Sequence, residues 1–210
     1  MSTVHPHEAY LMAYANGTLS DGMNVLIASH LTYCPICRGK VDQYEALQGG
    51  LLETTASDDV RVDASLDMIF DRMASAPIEV ERHVAKANVP SPIAAHIDGE
   101  LEDLPWRFRM PGLYDYPLPQ FEGEDVCLLK AKPGTGMLSH THEEDEATLI
   151  LTGVMEDGDT LLRAGDVAIA GPEHDHHPKI VGDEICYCLV VMSGRLKFTG
   201  PVGRALNLFT

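Results

Sequence analysis

His30, Cys34 and Cys37 stand in the segment HLTYCPICR with the spacing H-x3-C-x2-C. Thiolates and imidazoles are the donors tetrahedral zinc prefers, and a closed set of four is the structural kind of site. If His30 lies on a helix, Cys34 follows about one turn later on the same face. The CPIC turn then folds Cys37 back toward the same point. Three donors are local, so a fourth must come from elsewhere, and His5 and His7 are the nearby candidates. Two other readings fit the same residues. A C-x2-C pair in a cytosolic protein can be a redox couple, although that motif usually follows a strand in a thioredoxin-like setting, which is missing here. The cysteines can also be half-buried helix residues with no metal.

A second cluster lies more than a hundred residues on, in HTHEEDE from His140 to Glu146. On a strand, His140 and His142 point to one face because side chains alternate with period two. A turn at Glu143, Glu144 and Asp145 lets Glu146 open the next strand, and those three carboxylates read as a solvated acidic turn. His140, His142 and Glu146 can then occupy three positions around a divalent ion. Downstream, EHDHHP offers His174, His176 and His177. Three imidazoles and a carboxylate suit zinc, manganese, iron or nickel. Cys186 and Cys188 flank Tyr187 on an apolar strand and share a face. They read as small core residues, with a redox role as the alternative, and Cys127 reads as core.

These clusters need two kinds of scaffold. The first fifty residues read as helices: Ala9–Ala15, stopped by Asn16-Gly17; a second capped by Ser20 or Asp21 and carrying Val25, Leu26, Ile27 and Leu31; and a third from Pro35 to Leu47, ended by Gly49-Gly50. Asp63 to Met73 offers a fourth, with Leu66, Ile69, Phe70 and Met73 on one face that reads as core. Asn88-Val89-Pro90-Ser91-Pro92 has turn character and marks a boundary. Beyond about residue 95, the runs VCLLKA, MLSHTH, ATLILTG, TLLRAGD, VAIAG and ICYCLVVM alternate with Gly- and Pro-rich turns. Many short strands of this kind predict an antiparallel sandwich or barrel. Trp106, in PWRF, is expected to cover its mouth.

Acidic residues outnumber basic ones 32 to 15 over 210 residues, a formal charge of −17. Phosphate binding needs clustered Lys and Arg, so a nucleic-acid surface is disfavoured, a DNA-binding zinc finger included. A basic protein partner is compatible with this charge. No stretch approaches the roughly 20 apolar residues of a membrane-spanning helix. MSTVHPHEAYLMAY lacks the basic start and apolar run of a secretory signal, so a cytoplasmic location is expected. There, five cysteines are ligands, core or redox groups rather than a disulfide framework.

His5 followed by His30-x3-Cys34-x2-Cys37 in a small helical domain resembles the zinc-binding anti-sigma domain. The resemblance implies four helices around one zinc ion, with His5, His30, Cys34 and Cys37 as ligands and His7 as the alternative to His5. Gly134, His140, His142, Glu146 and Gly153 match the spacing of the first cupin motif throughout. The second motif is matched less well: counted from Gly165 its histidine falls on His176, but Gly171 stands at its proline position and Glu173 at its later glycine. The implied cupin ligands are His140, His142, Glu146 and His176, holding one divalent metal, with zinc first and manganese, iron or nickel as alternatives. The two in this order resemble the ChrR-type anti-sigma factors over nearly the whole chain. The fold expected is therefore α + β in two domains. Residues 1–85 form a four-helix zinc domain, 86–96 a linker, 97–195 an antiparallel β-barrel or sandwich (cupin), and 196–210 a C-terminal tail. The resemblance implies a regulator that sequesters an ECF-type sigma factor from RNA polymerase, with the cupin sensing singlet oxygen or related oxidative stress. The competing class is a mononuclear-metal cupin enzyme, a dioxygenase or isomerase, which has no requirement for the N-terminal cluster.

Overall fold

The structure is a computed structural model describing residues 2–54, 66–75, 89–194 and 196–199, with Leu66, Asp67, His142 and Leu196 described by backbone alone. Helix α1 (Glu8–Ala15) starts where the His7 ring accepts a hydrogen bond from the Ala9 amide, and stops at Asn16 and a left-handed Gly17. Helix α2 (Asp21–Tyr33) has Ser20 at its N-cap, yet the Ser20 hydroxyl caps nothing locally. It donates instead to Glu124, which also accepts from the Gly22 amide at 2.8 Å. A distant carboxylate thus sits at the positive end of the helix.

Helix α3 (Pro35–Thr54) runs through Gly49-Gly50, past its expected end at Leu47. Glycine stops a helix by turning left-handed, and neither of these glycines does so. The pair only weakens the helix, by about 1 kcal/mol each relative to alanine. Helix α4 (Leu66–Ser75) corrects a second expectation: Ile69, Phe70 and Met73, read as core, are 44%, 60% and 63% exposed. The spacing rule identifies one apolar face but does not say what meets it. Helix α5 (Ser91–Ala94) packs the fully buried Ile93 against α2.

The strands are β1 (Arg107–Met110), β2 (Leu113–Pro117), β3 (Asp125–Ala131), β4 (His140–His142), β5 (Glu146–Thr152), β6 (Val154–Asp157), β7 (Thr160–Arg163), β8 (Val167–Ala170), β9 (Lys179–Val181), β10 (Cys186–Met192) and β11 (Leu196–Phe198). They pair antiparallel in a six-stranded sheet, β1-β2-β3-β10-β5-β8, with smaller sheets β7-β6-β9 and β11-β4. Residues 196–198, read as the start of a tail, pair with β4 through Phe198 and His140. β1, β2, β6 and β9 escaped the periodicity reading. β6 is VMED, a turn by composition, but it hydrogen-bonds to a partner on each side.

Both faces of the large sheet are buried, which is why β5 and β10 read as continuous apolar runs rather than alternating ones. Tyr187, Leu189 and Val191 face outward, in one apolar cluster with Leu26 and Ile27 of α2. Cys186, Cys188 and Val190 face inward, where Met155, Leu162 and Ile180 of the three-stranded sheet close over them as the second layer of a sandwich. Trp106 belongs to the outer cluster, its ring 5.6 Å from that of Tyr187. It therefore lies on the helix side of the sheet and does not cover the mouth, because Tyr187 and Cys188 alternate across it.

Candidate metal centres

The last turn of α2 carries His30, its C-cap is Cys34, and Cys37 lies in the first turn of α3. This break between helices folds the C-x2-C pair inward, and the Cys37 amide donates to Cys34 Sγ at 3.4 Å. His5, in the extended stretch before α1, brings Nδ1 to 3.4 Å from Cys34 Sγ and 3.5 Å from Cys37 Sγ. Zn–S bonds of about 2.3 Å and Zn–N bonds of about 2.05 Å at tetrahedral angles put sulfur and nitrogen roughly 3.5 Å apart. One donor atom from each of His5, His30, Cys34 and Cys37 lies within 4.8 Å of every other.

His30 is fully buried, and its Nδ1–H donates to the Gly165 carbonyl at 2.7 Å. Its Nε2 is left as a buried nitrogen with no hydrogen-bond partner, an orphan of the kind native proteins avoid unless a ligand fills the role. Burial pushes the imidazole toward its neutral, ligating form. Burial and the neighbouring Cys34 push the Cys37 thiol up to about 12. Two thiols this close cannot both ionise unless a cation offsets them. His7, exposed and engaged in capping α1, is not a member of the group.

In the sandwich, His140, Glu146 and His176 bring one donor atom each within 4.8 Å of one another. His140 and His176 exchange backbone hydrogen bonds of 3.1 Å in each direction, which sets their rings 4.4 Å apart. His140 Nδ1–H donates to the Leu138 carbonyl at 2.7 Å, and His176 Nδ1 lies 2.9 Å from Asp157 Oδ2. Such bonds make Nε2 the lone-pair nitrogen, and a carboxylate behind an imidazole raises its basicity. Burial pushes Glu146 up, whereas the His176 charge pulls it down. Asp157 raises His176, while burial lowers His140. A divalent cation would favour the ionised carboxylate and both neutral rings together. The side chain of His142 lies outside the described residues. His174 and His177 are exposed, and His174 Nδ1 accepts from the Gly171 amide within its own turn. Among Glu143, Glu144 and Asp145, all exposed, Asp145 accepts from the Tyr10 hydroxyl at 2.8 Å.

A cavity of about 1300 Å³ opens beside this cluster, its wall including Met110, Met137, Met155, Met192, Cys127 and Cys188. Both cysteines are buried; burial pushes Cys127 up to about 12, and contact with Cys186 together with burial raises Cys188 well above the usual thiol range. At the cavity edge, Arg107 and Arg109 converge on the buried Asp115 at 2.7 and 2.8 Å and hold it ionised. Sequence reasoning missed Asp157, which stood in a turn-like segment, and Asp115, whose partners lie across a β-hairpin. No local spacing signals either one.

A family model described as the ChrR cupin-like domain matches residues 95–195. The chain is 34% identical to the anti-sigma-E factor ChrR of Cereibacter sphaeroides, over 98% of this chain and 96% of that one. The chain belongs to the ChrR family of anti-sigma factors. A chain of the crystal structure of Rhodobacter sphaeroides SigE in complex with the anti-sigma ChrR superimposes with a TM-score of 0.78 and 30% identity, covering 91% of this chain and 99% of that one. In this ChrR-family chain the cupin-like match contains His140, Glu146, His176 and the cavity lining apart from Phe198, whereas His5, His30, Cys34 and Cys37 all precede it.

Proposed function

We propose that this protein is a cytoplasmic anti-sigma factor that binds an ECF-type sigma factor through its helices and keeps it from RNA polymerase. The observation that carries the reading is whole-length similarity to ChrR, an anti-sigma factor crystallised in complex with SigE. Exposed apolar side chains on α3 (Leu47, Leu52) and α4 (Ile69, Phe70, Met73) support it as well, since they offer a surface a helical partner can bury. Among the described residues no helix is long and apolar enough to cross a membrane.

In this reading residues 1–85 form the zinc anti-sigma domain, with four helices and the ligands His5, His30, Cys34 and Cys37. The cupin spans 97–195 after a linker at 86–96, and the family match over 95–195 supports that division, while β11 at 196–198 pairs back onto it rather than opening a tail. The cupin binds one divalent metal, zinc first, through His140, His142, Glu146 and His176. It senses singlet oxygen or related oxidants, for which the sulfur-lined cavity supplies oxidisable groups. Full-length protein co-expressed with an ECF sigma factor should co-purify as an equimolar complex. Failure to retain any ECF sigma factor would overturn the reading.

Asp157→Ala tests the cupin half: the loss of the carboxylate behind His176 should weaken metal retention there about 10- to 100-fold in chelator competition. Unchanged retention would remove Asp157 from the site. The second reading, a mononuclear-metal enzyme, rests on the size of the cavity. Oxygen consumption by the iron-loaded protein on a small diketone would favour it over a sensor.

A further inference from the structure

The four candidate ligands of the N-terminal site are held in place by two different parts of the chain. Cys34 and Cys37 are set by the junction of α2 and α3 alone. The two histidines are set by consecutive residues of the turn leading into β8. The Gly165 carbonyl accepts from His30 Nδ1–H at 2.7 Å. It has φ +90°, and a Cβ added there would stand 2.6 Å from the Tyr33 Cβ, so only glycine lets this turn approach α2 so closely.

Asp166 is 1% exposed, and its carboxylate collects the stretch of chain just before His5. Oδ1 accepts from the Thr3 amide at 2.6 Å, the Val4 amide at 3.0 Å and the Ser2 hydroxyl at 3.0 Å. Oδ2 accepts from the Arg163 amide at 2.8 Å, which fixes the carboxylate to its own turn. The Val167 amide, at the start of β8, then donates to the Val4 carbonyl at 3.1 Å. His5 thus follows directly on a segment stitched to the sandwich.

We infer that the Gly165-Asp166 turn is the outer shell of the N-terminal metal site: the β half holds both histidine ligands of a metal whose cysteines belong to the helical half. This rests on the ligand assignment proposed above. Two consequences follow from linkage. Metal binding tightens the docking of α2 and the N-terminal segment onto the sandwich, and docking tightens metal binding by the same factor. β8 leaves this turn and pairs with β5, its Ala170 opposite Glu146, so one strand joins the outer shell of the first site to a candidate ligand of the second.

Cobalt substitution of the full-length chain tests the inference. A thiolate-to-cobalt charge-transfer band reports the N-terminal site alone, because the candidate ligands of the second site include no thiolate. Asp166 is a positioning residue, so Asp166→Ala should release cobalt to EDTA about tenfold faster or more, with cupin metal retained. Asp166→Asn keeps an acceptor oxygen for the Thr3 and Val4 amides and should fall between Asp166→Ala and the parent. Thr3→Pro removes two donors to Asp166, the Thr3 amide and its hydroxyl at 3.4 Å, from an exposed position and should also speed release, which decides the matter if Asp166→Ala does not fold. Release at the parental rate in Thr3→Pro and in folded Asp166→Ala would overturn the inference and leave the ligands untouched. Absence of the band in the parent protein would overturn the ligand assignment itself.

Discussion

Replacing Cys34 with serine is expected to lower bound metal by about one equivalent per chain and to abolish sigma-factor binding. A serine hydroxyl stays protonated at neutral pH and cannot replace a thiolate, so a closed tetrahedral set would drop to three donors. Structural zinc contributes roughly 10–16 kcal/mol of apparent folding free energy in small zinc domains, as much as the whole stability of many domains. The effect should be local: α2 is also held by the apolar cluster it shares with the sheet, through Leu26 and Ile27, so the β half should remain folded. What should be lost is the fixed placement of α1 and α3 against α2, and with it the surface they present. Metal content by emission spectrometry and sigma binding by calorimetry check both parts. His140→Ala is the companion, losing the cupin metal with sigma binding retained. If Cys34→Ser kept its full metal content, the ligand set would be wrong. If it lost the metal but still bound sigma factor at parental strength, the zinc site would be irrelevant to the partner.

The second large effect is expected at α4. Ile69→Asp combined with Phe70→Asp should weaken sigma binding by about 100-fold or more, since buried aromatic and aliphatic anchors account for most of an interface's energy at roughly 2–4 kcal/mol each. Both side chains are largely exposed in the free chain, 44% and 60%, so charging them should cost the protein itself little. The melting temperature of the unbound protein should therefore move by no more than a few degrees while affinity collapses. A matched loss of melting temperature would mean the face is core after all. Unchanged affinity would place the sigma contact elsewhere, with the apolar face of α3 the next place to look.

The gap between expected and observed structure is clearest at this same helix. Spacing alone identified one apolar face at Ile69, Phe70 and Met73, because helical periodicity is a local property. Whether such a face meets a core or a partner depends on what packs there, and no residue within the helix encodes that. Trp106 fails for a related reason: its side of the sheet is decided by strand register, which is a long-range property. At α3 the failure was local, since a glycine pair can stay helical when nothing turns it left-handed.

The sequence by itself determined the chemistry at each end of the chain: a thiolate-and-imidazole set at His30, Cys34 and Cys37, and the strand–turn–strand pattern that carries His140 and Glu146. Both depend on short separations, where helical and strand geometry position side chains without help. The family spacings already indicated His5 and His176 as the distant partners, and only the tertiary structure brings the distant residues together with them. It placed His5 rather than His7 against the two sulfurs, His176 rather than its neighbours against His140, and Asp157 behind His176. It also placed Gly165, the residue from which the second cupin motif is counted, behind His30. Those partners are brought together by sheet pairing and by the docking of α2 on the outer face of the sheet. Both follow from burial summed over the whole fold, to which no single segment holds the key.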